Sequence, residues 1–315
     1  MIRHSFFIVI LCITLLSGCA KNHTITPEST QHSEAAKRAF TLQKEGNTQE
    51  SLVWYAEALK TQETPELRNG VGAALLTSGS TQAALDEFNR ALAITPSSPE
   101  ILTNKGTALY LLKEYADASE AFTKALSYNP KQVQALNGKA LVALEQEDFD
   151  TALRFFVQAR KAAPRNLHLL YNTAIAFEGA GLLEDAEQYF SKYISKVPSD
   201  EKAFNGRGIV RLKLKKYAAA EADFTHAIAL APTESAAYFN RGLLHQKQLH
   251  YKQAVKDYTR SIAYTANNGT AYVNRGDAYF LLEEKEKGCR DLQKACEKGL
   301  CGKLEAYQNV NSCLD

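Results

Sequence analysis

The sequence has no surplus of charge of one sign and lacks the patterns that mark common catalytic sites. Its 315 residues include 37 Lys or Arg and 35 Asp or Glu, so the formal net charge is +2. A chain this close to neutral gives no overall signal for nucleic acid or for an anionic membrane surface. The HExxH, P-loop and GxSxG patterns are all missing. We therefore expect a non-enzymatic protein with no cofactor, no metal ion, no nucleic-acid partner and no small-molecule substrate.

Long apolar runs are also scarce, but one stands out near the N-terminus. Residues 6–16 are apolar and follow Arg3, a run too short to span a bilayer but typical of a signal peptide. The run leads into the letters LSGC at residues 16–19, which resemble the lipobox of bacterial lipoproteins. This resemblance implies cleavage before Cys19 and acylation of Cys19. Because Ala20 rather than Asp follows, it also implies the periplasmic face of the outer membrane. The alternative is an ordinary cleaved signal peptide with an incidental Cys.

The segment after the signal is predicted to be a tether. Residues 20–32 are polar, contain Pro27 and show no helical spacing of apolar residues. The predicted domains are a signal peptide at residues 1–18, a lipidated Cys with a flexible tether at 19–32, a helical array at 33–302 and a disulfide-linked cap at 303–315.

The rest of the sequence repeats itself every 34 residues. Proline recurs at this interval at Pro96, Pro130, Pro164, Pro198 and Pro232. Alanine recurs at Ala84, Ala118, Ala152, Ala186, Ala220 and Ala254. An aromatic residue recurs at Phe88, Phe122, Phe156, Phe190, Phe224 and Tyr258. This period, with small, aromatic and proline residues at fixed offsets, resembles the tetratricopeptide repeat (TPR) family.

The resemblance implies an all-α fold, a right-handed α-α superhelix or TPR solenoid. We expect about seven full repeats, a degenerate N-terminal repeat and a C-terminal capping helix. Each repeat should contain helix A at positions 1–14, a tight turn, helix B at positions 18–31 and Pro at position 32. Small residues at positions 8 and 20 let the two helices approach closely, and the ring at position 24 fills the layer between them. Full repeats are predicted to begin at Pro65, Pro99, Val133, Leu167, Glu201, Ser235 and Gly269.

Four cysteines lie close to the C-terminus of a chain that is predicted to be exported, where disulfides are expected. Cys289 and Cys296 are seven residues apart on one predicted helix, about 10.5 Å along its axis. This separation exceeds the roughly 7 Å limit between the Cα atoms of a disulfide. If residues 303–312 form a capping helix antiparallel to the last helix B, Cys301 lies near Cys296 and Cys313 near Cys289. We therefore predict the disulfides Cys289–Cys313 and Cys296–Cys301, with a zinc site as the alternative.

In this family the concave surface is lined mainly by helix A and holds peptides or partner helices. Asparagine in these helices alternates between position 5 and position 6 from repeat to repeat. Amides and aromatic rings suit a groove that hydrogen-bonds an extended backbone and grips apolar side chains. The alternative is that these residues are common to the family and bind nothing here. The predicted groove comprises Asn69, Asn104, Asn137, Tyr171, Asn172, Lys202, Asn205, Phe239, Asn240, Lys247 and Asn274, and its wider lining includes Tyr110, Lys213 and Phe280.

Charge is uneven along the array. Residues 201–268 hold 11 basic against 5 acidic residues, whereas residues 167–200 hold 2 against 5. The predicted basic patch comprises Arg207, Arg211, Lys213 and Lys215. It is a candidate for docking an acidic partner or an anionic envelope polymer, and rim charges of this kind chiefly raise the rate of association. The alternative is a solvated basic face without a ligand.

These observations predict a scaffold for protein interaction, anchored in a lipid bilayer through Cys19. We expect it to hold a peptide or helix of another protein of the cell envelope. By analogy of architecture with lipoproteins that help pilus or secretin complexes to form, the expected role is assembly of such a complex. The alternatives are an adaptor that presents substrates to a periplasmic protease and a cell-wall enzyme.

Overall fold

A computed structural model describes residues 34–308 and residue 313, and all the regular structure among them is helical. The predicted signal peptide, Cys19 and the predicted tether lie outside the described residues. The seventeen helices are α1 (Glu34–Lys44), α2 (Thr48–Thr61), α3 (Pro65–Thr77), α4 (Thr81–Ile94), α5 (Pro99–Leu111), α6 (Tyr115–Tyr128), α7 (Val133–Glu145), α8 (Phe149–Ala162), α9 (Leu167–Gly179), α10 (Leu183–Ile194), α11 (Glu201–Lys213), α12 (Tyr217–Leu230), α13 (Ser235–Lys247), α14 (Tyr251–Tyr264), α15 (Gly269–Leu281), α16 (Lys285–Cys296) and α17 (Gly302–Gln308). Of these, not one combines the length and the apolar character needed to cross a membrane.

The helices alternate as the A and B elements of a TPR solenoid, which confirms the predicted fold class. Helices α1 and α2 form the degenerate N-terminal repeat, α3 to α16 form seven full repeats, and α17 follows them. Each full helix A begins at position 1 of its repeat, as predicted. At the start of α3, for example, the Thr64 hydroxyl accepts a hydrogen bond from the N–H of Leu67, and Pro65 occupies the first helical position. Both features favour a helix start, because proline has no N–H to leave unpaired there.

The turn from helix A to helix B corrects the predicted boundaries by one residue. Helix A ends at position 13 and helix B begins at position 17, rather than at 14 and 18. After α5, the N–H of Lys113 donates to the carbonyl of Tyr110 (3.0 Å) and the N–H of Glu114 donates to that of Leu109 (2.9 Å). This Schellman pattern needs a left-handed residue at position 15. The residues in that conformation are Gly46, Gly79, Lys113, Glu147, Gly181, Lys215, Leu249 and Glu283.

The core of each repeat is organised around the ring at position 24. Phe122 is fully buried and lies between two helices A. A Cβ added to Gly106 of the same repeat would come within 2.7 Å of the ring, and one added to Gly138 of the next repeat would come closer still. Both glycines are therefore required by close approach, since any side chain would overlap the ring. The alanines at position 20 are also fully buried: Ala84, Ala118, Ala152, Ala186, Ala220 and Ala254.

The chain divides into two compact units, the first ending at Asn172 and the second beginning at Thr173. Within each unit, a helix packs chiefly against the helices just before and just after it. This is the expected arrangement of a repeat array, in which every repeat contacts only its neighbours. In the first unit, the rings of Phe40 and Tyr55 pack edge to face with centroids 5.3 Å apart. In the second unit, Phe224 lies in one buried cluster with residues of α11 and α13.

Two disulfides join the C-terminal residues to α16. Cys289 is bonded to Cys313 with the Cα atoms 5.5 Å apart, and Cys296 is bonded to Cys301 with the Cα atoms 4.0 Å apart. These are the two pairs named from the sequence. The capping helix begins at Gly302, and the part predicted for residues 309–312 lies outside the described residues.

Helix α17 packs against α15 through one ring and one ion pair. The ring of Tyr307 stacks on that of Phe280, with centroids 4.0 Å apart and planes 11° from parallel. Gly288, at position 20, leaves room for this arrangement, because a Cβ there would lie 2.6 Å from the Phe280 ring. Lys303 also pairs with Asp277 at 3.1 Å. One face of Phe280, assigned to the groove lining from the sequence, is thus occupied by the cap.

Candidate functional site

The predicted groove asparagines form hydrogen-bonded pairs between consecutive helices A. In each pair, Nδ2 at position 6 of one repeat donates to Oδ1 at position 5 of the repeat before it. The three pairs are Asn104 with Asn69 (2.9 Å), Asn172 with Asn137 (3.0 Å) and Asn240 with Asn205 (2.9 Å). All three distances are those of ordinary N–H···O hydrogen bonds. The alternation seen in the sequence therefore produces separate amide pairs, each spanning two repeats.

The pair bond fixes which way each amide points. Asn137 accepts through Oδ1, so its NH2 group remains for another partner, and no described residue accepts from it. Asn172 donates through Nδ2, so its Oδ1 remains as an acceptor. The pair of Asn69 differs, because the NH2 of Asn69 donates to Glu100 at 3.3 Å. The second and third pairs are therefore better placed than the first to hydrogen-bond a ligand.

The other residues of the predicted groove differ in their exposure to solvent. Lys247 is exposed, whereas Tyr171, Lys202, Phe239 and Asn274 are partly buried. Phe239 packs at the edge of a buried cluster of the second unit, so part of its ring contributes to the core. Asn274 belongs to none of the three amide pairs, because position 5 of the preceding repeat is Phe239, which has no amide oxygen to accept a hydrogen bond.

Two members of the predicted basic patch are neutralised within the fold. Arg207 donates two hydrogen bonds to Asp223, at 3.0 and 2.7 Å. Arg211 donates to Asp223 and to Glu187, at 2.8 Å each. The side chains of the two arginines are only 15% and 19% exposed. Burial would raise the pKa of Glu187, but hydrogen bonds from Lys216 and Arg211 outweigh burial and lower it.

The two lysines of the basic patch are more accessible than its arginines. Lys213 forms an ion pair with Glu178, while Lys215 is exposed and occupies the left-handed turn position with a φ of 59°. The charge that the patch offers to a partner is therefore smaller than its four cations suggest. Docking of an acidic partner at this patch stays a prediction.

A repeated ion pair between positions 7 and 23 was missed from the sequence. The three pairs are Arg207 with Asp223, Arg241 with Asp257 and Arg275 with Asp291. Each Asp side chain is at most 6% exposed, and each Arg also donates to a hydroxyl at position 25 of the preceding repeat: Ser191, Thr225 and Thr259. The signal was present, since an Arg and an Asp sixteen residues apart recur at the repeat period.

His245 lies beside the second of these ion pairs. Its Nε2 is 3.5 Å from a carboxylate oxygen of Asp257, and its Nδ1 has no hydrogen-bond partner among the described residues. Burial lowers the pKa of His245, against the attraction of Asp257. Among residues 34–308 and 313, no group of three or more His, Cys, Asp or Glu is arranged to hold a metal ion.

Comparison with protein families gives a direct match. A model described as Tetratricopeptide repeat matches residues 37–99 and 139–201, and a second model with the same description matches residues 99–132. The matched residues make up just over half of the chain. A search of curated proteins gave no significant match.

Several solved structures are similar to this chain at low sequence identity. A tetratricopeptide repeat protein from Parabacteroides merdae is 19% identical, with 78% of this chain and 97% of that chain covered and a TM-score of 0.60. The Cut9–Hcn1 hetero-tetramer of the APC/C gives 14% identity, 91% and 57% coverage and a TM-score of 0.66. The pilF protein of Pseudomonas aeruginosa gives 17% identity, 64% and 92% coverage and a TM-score of 0.56. At these identities the similarity concerns the fold alone.

Proposed function

Because the chain belongs to the tetratricopeptide repeat family, we propose that it is a scaffold that holds an extended segment of a partner protein against its helices A. TPR domains are typically non-catalytic scaffolds that bind protein partners or peptides. The observation that carries the proposal for this chain is the set of oriented amide pairs, above all Asn137 with Asn172 and Asn205 with Asn240.

An oriented amide pair matches the hydrogen-bonding groups of a peptide backbone. The more exposed member is Asn137 in the second pair and Asn240 in the third. Asn137 has its NH2 group left to donate to a peptide carbonyl, and Asn240 has its Oδ1 left to accept from a peptide N–H. Since the pair bond already fixes both side chains, little of their conformational freedom is lost on binding.

The proposal includes a location at the bacterial envelope. The lipobox-like segment supports a lipid anchor at Cys19, and two or more acyl chains would hold the protein stably in a bilayer. Residues 20–32 would reach roughly 43 Å when extended, so the repeats could contact proteins that stand off the membrane. Assembly of a pilus or secretin complex is the role we propose there. The similarity to pilF concerns the fold, so this step rests on the predicted anchor.

Photocrosslinking in the native cell would identify the partner. A benzoylphenylalanine placed at Tyr171 or at the exposed Lys247 should capture proteins bound along helix A, and mass spectrometry of solubilised envelopes should name them. Pilus or secretin subunits are the expected products. Capture of a protease would favour the adaptor alternative, and turnover of glycan by the purified protein would contradict a non-enzymatic scaffold.

The substitution Asn137→Asp then tests the amide pair itself. The new carboxylate still accepts from Asn172 and keeps the side-chain volume, but the two N–H donors are lost. We expect the affinity for the captured subunit to fall about tenfold, because a buried peptide carbonyl is left unpaired. Asn267→Asp is the matched control, since it makes the same change at an exposed turn residue. Equal affinities for the two variants would contradict the proposed role of Asn137.

The anchor has a separate test that does not involve the groove. Mass spectrometry of the mature protein from envelopes should find Cys19 as its first residue, carrying acyl chains. An unmodified Cys19, or cleavage at another residue, would refute the anchor while leaving the scaffold proposal intact.

A further inference from the structure

The first unit contains a cleft between α6, α7 and α8. Its volume is about 420 Å³. It is lined by Thr123, Leu126, Ser127, Pro130, Leu136, Lys139, Phe155 and Gln158. Its walls are largely apolar, and Lys139 is the one charged residue of the lining.

Lys139 occupies a position that carries a buried ion pair elsewhere in the chain. It is residue 7 of its repeat, as are the three arginines that bind an Asp at position 23. In the repeat of Lys139, position 23 is Phe155. This repeat therefore has the cation of the ion pair at position 7 but an aromatic ring instead of a carboxylate at position 23.

The contacts of Lys139 do not make up for the missing carboxylate. Its Nζ donates to the hydroxyl oxygens of Ser119 and Thr123, at 2.9 Å each, and lies 5.6 Å from the centroid of Phe155. No carboxylate of the described residues is within ion-pair distance of this ammonium group. Burial, together with the charge of Arg154, lowers the pKa of Lys139. The ammonium has thus lost water without gaining a counter-charge, so an external carboxylate would be stabilising.

We propose that this cleft binds an Asp or Glu side chain of a partner protein, together with an apolar side chain next to it. The carboxylate pairs with Lys139, and the apolar side chain lies against Phe155, Leu126 and Pro130. A protein segment suits the cleft better than a small molecule does, because small-molecule sites enclose most of their ligand. Half of the lining here is exposed, including Thr123 and Pro130.

The cleft is separate from the amide pairs. Asn137 and Lys139 are two residues apart on α7, which places them about 200° apart around the helix axis. The surface of Asn137 and the cleft of Lys139 therefore lie on opposite sides of α7. A partner can occupy one of them without blocking the other.

Two short peptides test this proposal on the purified full-length protein. The probes are fluorescein-labelled Gly-Ser-Phe-Glu-Leu-Ser-Gly-amide and the same peptide with Gln in place of Glu, measured by fluorescence anisotropy at low salt. We expect the Glu peptide to bind about tenfold more tightly than the Gln peptide, as a charge-assisted hydrogen bond requires. The preference should shrink as salt is added, because the site is partly open to solvent.

Matched variants test whether the preference for the Glu peptide depends on the cleft. Lys139→Met removes the ammonium group, and Phe155→Asp introduces the carboxylate found at position 23 of the last three repeats, so each should abolish the preference for Glu. Lys105→Met is the control, because Lys105 is residue 7 of the preceding repeat and does not line the cleft. It should leave the preference unchanged.

The proposal would be overturned if the wild-type protein bound both peptides equally or bound neither. It would also be overturned if the preference for Glu survived in Lys139→Met and Phe155→Asp. Loss of the preference to the same extent in Lys105→Met would contradict it as well. Circular dichroism of each variant would show that its helices are intact.

Discussion

The repeated Arg–Asp pair leads to a quantitative prediction for Arg241→Met. Arg241 donates two hydrogen bonds to Asp257, at 2.8 Å each, and the Asp257 side chain is only 5% exposed. Methionine keeps much of the side-chain volume but removes the guanidinium group. The basic side chain that then remains beside the Asp257 carboxylate is His245, at 3.5 Å. Removing one partner of a buried ion pair typically costs 3–5 kcal/mol. Because the Arg241 side chain is 20% exposed, we expect about 3 kcal/mol.

Arg207→Met is the matched control, because it makes the same change at the same repeat position. There Asp223 keeps a second arginine, since Arg211 donates to it at 2.8 Å. The carboxylate stays paired, so the expected cost is that of lost hydrogen bonds alone, about 1 kcal/mol. The two variants should therefore differ in free energy of unfolding by about 2 kcal/mol.

The structure also predicts whether the loss of stability caused by Arg241→Met grows or shrinks with pH. In the wild-type protein the pKa of His245 is lowered, so the folded state binds its proton less readily than the unfolded state, whose His pKa is about 6.5. Protonation of this group therefore destabilises the wild-type fold as the pH falls through about 6.5. Without Arg241, a protonated His245 would compensate Asp257, so its pKa should rise. The cost of Arg241→Met should thus be smaller at about pH 5.5 than at about pH 7.5.

Urea unfolding followed by helical circular dichroism measures both effects without adding salt. Because a repeat array need not unfold in one step, hydrogen exchange of α13 and α14 should accompany it and report local opening. Equal costs for Arg241→Met and Arg207→Met would refute the reasoning about the second arginine. A cost of Arg241→Met that is constant or grows at lower pH would refute the part assigned to His245.

Three further substitutions test other features of the fold. Leu249→Gly should stabilise the protein by about 1 kcal/mol, measured as a higher urea midpoint, because an exposed Leu is held at a φ of 63° where Gly is at ease. Gly106→Ala should destabilise it by about 1–3 kcal/mol in the same assay, because the new Cβ would lie 2.7 Å from the Phe122 ring. Cys313→Ser should destabilise the C-terminal region by about 3 kcal/mol, since the bond to Cys289 closes a loop with a sequence separation of 24. Hydrogen exchange of α16 would measure this last effect.

Each of these substitutions has a control or a contrary outcome. Leu182→Gly changes an exposed Leu with an ordinary φ of −83°, so a gain like that of Leu249→Gly would contradict the role of the turn. Gly302→Ala places its Cβ in open space, and a loss equal to that of Gly106→Ala would argue against steric overlap. Peptide mapping that joins Cys289 to Cys301 would contradict the disulfide pairing.

The 34-residue period predicted the helix pairs because small and aromatic residues recur wherever the same helix packing recurs. The turn between the helices was harder to predict, since five of its eight left-handed positions carry residues other than glycine. Lys113 and Glu283, for example, are residue types that do not indicate a left-handed backbone conformation. The main-chain hydrogen bonds that close the turn hold these residues in that conformation against the preference of the residue type.

The candidate site was predictable in its residues but not in its contacts. The alternation of asparagine led to the prediction of a groove, which stays a prediction. The pairing of Asn172 with Asn137 depends on the distance between two helices A, which no spacing within one helix reveals. The basic patch was overestimated for a related reason. Counting cations along α11 cannot show that Asp223 and Glu187 reach Arg211 from neighbouring helices.

The amide pairs restrict how an array of this kind can change its length. Deleting a single repeat, residues 133–166, would leave Asn172 next to a repeat that has asparagine at position 6 and none at position 5. Deleting two repeats, residues 133–200, would remove one pair whole and leave the other two intact. A deletion of whole repeats within residues 65–268 that leaves no asparagine unpaired should therefore remove a multiple of 68 residues, whereas removing 34 would preserve the helical packing and break a pair.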